Sequence, residues 1–431
     1  MQTPLNLEPL LTEPLDWRFR SFPSPSGKMK IGDVPAQKWN LFDSGFFFPV
    51  MALKQAAIEH NVRTMATFCV DRGALLAPHG KTTMAPQLFQ RQLSAGAWGI
   101  TAATVEHARV YRAFGVPRIL LANELVRTDE ARWALAELAN PLFDFLCYVD
   151  SSVTVRVLSD VFAGSPRKVR VLVELGTPGG RAGCRTNADA RALARDIAAA
   201  PGLELSGVAG FEGILGTDRA PGALEAVDAF CDRLAGLAEE LLEARPGANA
   251  AVDSEFIVSA GGSAYPDRVV ERLGLLARRD ARVKVVLRSG CYVTHDHGFY
   301  EGVSPFAQSI ADGTAHLRPA LELWASVLSR PEPGLAIVGF GKRDAPFDAG
   351  LPVPSAVRSR SGGKMRPADM MSIVRLNDQH AYLELAPHDP LEPGDLLACG
   401  VSHPCLAFDK WPLLPSVDDE YNVVEAIRTF F

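Results

Sequence analysis

The chain has 431 residues, 47% of them hydrophobic and 22% charged, with a formal net charge of −6. At roughly 150 residues per domain, this length predicts two or three domains, or one large barrel with a smaller partner. The composition excludes disordered and low-complexity chains, and the negative charge gives a nucleic acid nothing to bind. Seven cysteines lie along the chain without framework spacing, as expected of reduced thiols in the cytoplasm. The opening MQTPLNLEPLLTEPLDWRFR has no secretory pattern, and no uncharged apolar run approaches the roughly 20 residues of a membrane span. A soluble, cytoplasmic protein with no membrane partner is expected.

Residues 1–45 read as an irregular leader. From Phe46, short apolar runs alternate with helical stretches. The runs fall at 46–53, 73–78, 98–103, 118–123, 144–149, 169–175, 206–213, 255–261 and 283–290. Several are continuous Val, Ile and Leu, the mark of strands buried on both faces of a parallel sheet. Between the first two runs, Ile58, Val62, Met65 and Phe68 recur at three- and four-residue steps. Eight or nine β–α units in succession predict an α/β fold, a (β/α)8 TIM barrel over 46–298. No G-x-G-x-x-G follows the first strand, against a dinucleotide site. After residue 300, prolines and short apolar segments predict a mainly antiparallel β domain over 299–431. Residues 359–367 (SRSGGKMRP) read as a solvated basic loop.

Four segments carry candidate chemistry. In APHGKTTMAP (77–86), Lys81 follows a short strand at its C-terminal end, where barrel active sites form. A lysine there can act as a nucleophilic amine for Schiff-base chemistry. His79 lies two residues before it, on the same side of an extended backbone. In GTPGGRAGCR (176–185), Arg181 offers a cationic fork for an oxyanion or phenolate. SAGGSA (259–264) and RSGCY (288–292) end successive late strands, and their small residues suit a phosphate. In SHPCLAFDKW (402–411), His403 and Cys405 are two apart in an expected strand and form a partial zinc-ligand set. His380 is open between a site role and a turn. THDHG (294–298), with His295 and His297, reads as a loop beside the site in preference to a second metal site.

These segments, in this order with QLSAGAWGITAATVEHA (92–108), ILLANELV (119–126) and FDKW (408–411), resemble the D-serine dehydratase-like and D-threonine aldolase family. These are fold-type III, alanine racemase-like pyridoxal phosphate enzymes, and the D-serine deaminase branch is the most similar. The resemblance covers Phe46 to the C-terminus. It implies that Lys81 holds pyridoxal 5′-phosphate, with His79, Arg181 and Phe211 around it. It implies a phosphate site at Ser259, Gly261, Gly262, Ser263, Gly290, Cys291 and Tyr292, with Cys291 lending only its backbone. It places Zn2+, or Mn2+, on His403 and Cys405, and makes the partner a small D-amino acid and a second copy in a homodimer. The implied reaction is α,β-elimination from a D-β-hydroxy amino acid. Metal-dependent retro-aldol cleavage is the alternative within the fold, although the aldolases have Asp as second metal ligand. A non-catalytic cofactor carrier is the alternative of another class. The chain departs from the family at Ala77, Thr83, Phe211 and Ile214, which relatives fill with Arg, His, Tyr and His. These departures bear on the substrate.

Overall fold

The computed structural model describes residues 4–23, 28–244, 255–307 and 315–431. The stretch LEAVDAFCDRLAGLAEELLEARPG (224–247) predicts a helix ending at Gly247, and that end lies outside the described residues. The first strand, β1 (Val50–Lys54), runs into the helix Gln55–Asp71, which buries Ile58, Val62, Met65 and Phe68 as their spacing predicts. Eight parallel strands follow: β2 (Leu75–Leu76), β3 (Ile100–Ala102), β4 (Arg118–Glu124), β5 (Asp144–Val149), β6 (Val169–Leu175), β7 (Leu203–Gly210), β8 (Phe256–Ala260) and β9 (Val283–Leu287). They form one sheet in the order β2-β9-β8-β7-β6-β5-β4-β3. The sheet curls until its two edges meet. There the amides of Trp98 and Thr101 donate to the carbonyls of Leu76 and Pro78 at 2.7 and 2.9 Å.

The strands are continuously apolar because both faces are buried. Leu120, Leu146, Leu172, Ala209, Ile257 and Val286 fill the interior, while alternate residues such as Ile119, Phe145, Val171 and Val258 pack under the helices. A side-chain period of two makes this division automatic.

The C-terminal part forms a second, ten-stranded sheet. Its centre is β10 (Leu321–Glu332), followed by β11 (Leu335–Val338), β12 (Val353–Arg358), β13 (Arg366–Pro367), β14 (Ser372–Leu376), β15 (Ala381–Glu384), β16 (Leu396–Gly400), β17 (Leu413–Val417) and β18 (Val423–Arg428). The reading of 46–53 as a barrel strand needs correction. β1 pairs antiparallel with β10 (Val50↔Trp324) and parallel with β17 (Leu53↔Ser416), so it belongs to this second sheet. The apolar run is a buried strand, as its composition predicts, but apolarity does not say which sheet supplies its hydrogen bonds. The leader's Leu10, Leu15, Phe19, Phe22, Ile31 and Val34 pack with Val50, Trp324 and Val423 on that sheet. Among the described residues, no helix is long and apolar enough to cross a membrane.

Candidate active site

A cleft of about 660 Å³ opens where the C-terminal ends of the barrel strands face the second domain. It lies within the usual 300–1,000 Å³ range of small-molecule sites. His79, Lys81, Arg181, Phe211, Gly262, Ser263, Gly290, Cys291, His403 and Cys405 all line it. Three other predicted residues do not, and each has a local reason.

Lys81 sits in a 3-10 turn (Gly80–Thr82) just beyond β2, so the extended geometry expected of His79 and Lys81 is absent. The lysine is exposed and lines the cleft. Its amine has no hydrogen bond or ion pair among the described residues. His79 is half-buried, and its Nδ1 is buried with no partner among the described residues. Burial, followed by the charges of Lys81, Arg288, Arg181 and His107, holds its pKa well below the usual imidazole value. His79 is therefore neutral at pH 7, with a ring nitrogen facing unmet hydrogen-bonding demand. Gly290 is the point where these loops meet. A Cβ there would lie 2.7 Å from the His79 carbonyl oxygen and 2.8 Å from Thr82 Oγ1, so only glycine lets the two site loops pack.

The Arg181 guanidinium carbon stands 4.4 Å from the centroid of the Phe211 ring, a cation–π contact that orients the cation. The floor contains residues the motif reading left unassigned. Buried Arg288 donates from Nη1 to Ser259 Oγ at 2.7 Å and from Nη2 to the Gly210 carbonyl at 2.7 Å. Ser259 is fully buried and itself donates to the Val286 carbonyl at 3.0 Å. It props Arg288 from below and does not line the cleft. Beside it, Glu174 on β6 has its pKa pushed up to about 8, by burial first and by the Glu124 carboxyl next, while Arg288 and Arg181 pull the other way. A protonated carboxyl at neutral pH is the result.

The expected phosphate loops are present but are partly occupied by the protein itself. The amides of Gly261 and Gly262 donate to the two oxygens of the fully buried Glu212 at 3.0 and 2.8 Å. Gly261, at φ +91, turns the chain beneath the cleft without lining it. Glu212 directly follows Phe211 in the chain, and the motif reading assigns it no role. Ser263 and Cys291 are joined, with the Cys291 amide donating to Ser263 Oγ at 3.1 Å. Tyr292 is corrected too, because its hydroxyl points away from the cleft and accepts from Gln92 Nε2 at 3.1 Å in the buried interior.

The metal pair is also built differently from the expectation. His403 and Cys405 do not share a strand. His403 precedes a 3-10 turn (Pro404–Leu406), and the turn brings the two side chains together. The Cys291 thiol joins them. Its Sγ lies 3.3 Å from Cys405 Sγ, and the donor atoms of Cys291, His403 and Cys405 all lie within 4.8 Å of one another. The Cys291 side chain, from which only the backbone is expected to take part, thus stands beside the expected metal pair. The loop that presents the amide to Ser263 turns the thiol toward the other domain.

His403 Nδ1 meets Asp348 Oδ2 at 2.6 Å, leaving Nε2 for a metal. This is the carboxylate–histidine arrangement that orients metal ligands. Burial alone would lower the His403 pKa, but Cys291 and Asp348 hold it up at about 9. Hydrogen bonding from Cys405 and His403 outweighs burial and holds the Cys291 thiol well below its usual value. His295 and His297 are elsewhere: His295 Nε2 meets Glu301 at 3.1 Å, and neither joins the metal-donor group. His380 is exposed in the turn between β14 and β15.

The cleft fits pyridoxal phosphate by its chemistry. It offers one unpaired primary amine, the cations Arg181 and Arg288, an orphaned imidazole nitrogen and the hydroxyl of Ser263 beside glycines. The Cys–His–Cys donor set likewise fits a divalent metal of borderline softness. A curled eight-stranded parallel sheet with a lysine at its mouth and an added, mostly antiparallel domain defines the alanine racemase-like fold.

Comparison with known proteins agrees. Residues 53–252 match the alanine racemase N-terminal domain and residues 320–417 the putative serine dehydratase domain. The chain belongs to the fold-type III family of pyridoxal phosphate enzymes. It is 26% identical over 341 residues to a D-threonine aldolase of Arthrobacter sp., covering 79% of this chain and 80% of that one. The D-threonine aldolase structure from Filomicrobium marinum superposes with a TM-score of 0.71 at 24% identity, covering 89% of this chain and 95% of that one. The D-threo-3-hydroxyaspartate dehydratase structure from Delftia sp. HT23 gives 0.69 at 22% identity, covering 89% and 98%.

Proposed function

We propose that the chain is a pyridoxal phosphate- and zinc-dependent lyase of D-β-hydroxy amino acids that acts by α,β-elimination, giving a 2-oxo acid and ammonia. The observation that carries elimination over aldol cleavage is the thiol of Cys405 beside His403, where resemblance to the aldolases implies a carboxylate.

Lys81 would hold the cofactor, the Gly262–Ser263 and Gly290–Cys291 loops its phosphate, and His403 with Cys405 the metal. When bound, the cofactor supplies an electron sink for an α-carbanion and the metal supplies Lewis acidity toward a departing oxygen. Lys81, without a competing partner among the described residues, takes the proton from the substrate Cα. Arg181 and Arg288 keep the cleft cationic and suit it to a carboxylate and a phosphate. Neutral His79 adds no further positive charge and leaves Nδ1 free to hydrogen-bond a bound group. Overall the substrate loses its α-proton and β-hydroxide as water, and a second water releases ammonia from the resulting enamine.

Likeness to a D-threonine aldolase favours a second reading, cleavage to glycine and an aldehyde. Incubation with D-threonine separates the two. Ammonia and 2-oxobutanoate support elimination, whereas glycine and acetaldehyde replace it with the aldolase. If D-serine, D-threonine and D-threo-3-hydroxyaspartate all go unconverted and the protein holds no metal, it is a cofactor carrier instead.

A further inference from the structure

We infer that the Cys291 thiol is a third protein ligand of the metal centre, making it a Cys–His–Cys zinc site with one open position. The inference rests on the proposed reading only in placing a metal between His403 and Cys405.

The donor geometry carries it. In a tetrahedral zinc site, bonds of about 2.3 Å to sulfur and about 2.0–2.1 Å to nitrogen put two thiolates about 3.8 Å apart and a thiolate about 3.6 Å from the imidazole nitrogen. Here the two sulfurs lie 3.3 Å apart, and every donor is within 4.8 Å of the others. A side-chain rotation spans the difference. Asp348 cannot take the third place without giving up His403 Nδ1. Among the described residues, no other group of three such donors converges.

Packing does not account for Cys291 either. Cys69, Cys147, Cys231 and Cys399 are buried structural thiols, and burial alone is the leading influence on each. Cys291 instead meets a thiol and an imidazole at the wall of the cleft.

Three protein ligands change what the site selects. Two thiolates and an imidazole form a softer set than one of each, favouring Zn2+ over Mn2+. A single position remains for an oxygen donor, as in other catalytic Cys2His zinc sites. Cys291 also gives its amide to Ser263 in the phosphate loop, so one residue serves both cofactor loop and metal.

Zinc K-edge X-ray absorption of the full-length, cofactor-loaded protein counts the ligands directly. Two sulfur scatterers and one imidazole are expected, and one sulfur overturns the inference. In Co2+-substituted protein, the near-ultraviolet thiolate charge-transfer band should fall by about half in Cys291→Ser and in Cys405→Ser alike. Zinc retention against a chelator should weaken at least about tenfold in Cys291→Ser. An unchanged band and unchanged retention in both Cys291→Ser and Cys291→Ala, with the cofactor's visible absorption intact, overturn it too. Two sulfurs with no turnover of any panel substrate would sink the elimination reading and leave the ligand assignment standing. One sulfur with active elimination would do the reverse.

Discussion

Arg288, Ser259 and Glu174 reach the cleft floor from strands of a single sheet, each at or within two residues of a strand end. Cys291, Asp348, His403 and Cys405 reach its rim from loops of two domains, with 55 residues between His403 and its Asp348 partner. The floor is fixed by strand register, which hydrogen bonds set along the whole barrel. The rim exists only because the second sheet docks where it does. The difference predicts separable functions, with cofactor holding on the floor side and leaving-group chemistry on the rim, joined at Cys291, whose amide meets the phosphate loop.

Lys81→Ala is the largest test. Loss of a positioned nucleophile and base should lower turnover by about 10²–10⁴-fold and abolish the visible absorption of the bound cofactor. Far-ultraviolet circular dichroism should not change, because Lys81 is exposed and has no partner among the described residues. Full turnover in this variant would remove the lysine from the mechanism. On the rim, His403→Ala should cost elimination about a hundredfold or more, since a Lewis acid contributes several kcal/mol, while the cofactor band persists. Loss of the band together with activity would show that floor and rim are one cooperative unit. A smaller effect is expected of Asp348→Asn. The imidazole keeps its place but loses a charged partner, so zinc affinity measured by chelator competition should fall about 10–100-fold, with the cofactor band again unaffected. An unchanged zinc affinity would make the 2.6 Å contact incidental.

The same contrast explains what was legible beforehand. The parallel strands announced themselves as apolar runs, because burial on both faces leaves no polar alternation to disguise them. Lys81 and Arg181 followed, since both stand just beyond strand ends. β1 was assigned to the wrong sheet, because a five-residue apolar run carries no record of its hydrogen-bond partners. At Ser259 and Tyr292 the segment was right and the direction of the side chain was wrong. Small residues at a strand end mark a cofactor loop, but they do not tell whether a hydroxyl faces the cleft or supports it from below. Glu212 taking the Gly261 and Gly262 amides had no signature beyond its proximity to Phe211. Arg288 stood inside the quoted RSGCY and was legible in principle, as a basic residue at a strand end. The Cys291 thiol and Asp348 were not, because their role arises from tertiary docking across more than a hundred residues of sequence in one case and 55 in the other.

The smallest effect separates the floor from the rim by pH. Glu174 holds its proton up to about pH 8 in the folded protein against an ordinary value of 4.5, by burial and the neighbouring Glu124. Between those values the folded state binds more protons than the unfolded state, so stability must fall as pH rises through that window. Below the ordinary carboxyl value both states are protonated and nothing is lost. Above about 8 both are ionised and the loss is complete. A single group changes stability by no more than about 1.4 kcal/mol per pH unit, and Arg288 and Arg181 reduce that share by stabilising the ionised form. In the cofactor-free protein, Glu174→Gln should therefore flatten the decline of Tm between about pH 5 and 8. His403→Ala, which leaves Glu174 and Glu124 in place, should retain the decline between about pH 5 and 6, below the range in which His403 itself titrates. Equal slopes in wild type and Glu174→Gln would mean that the floor carboxyls are ionised together and held by their arginines, which would reverse the charge assigned to the cleft floor at neutral pH.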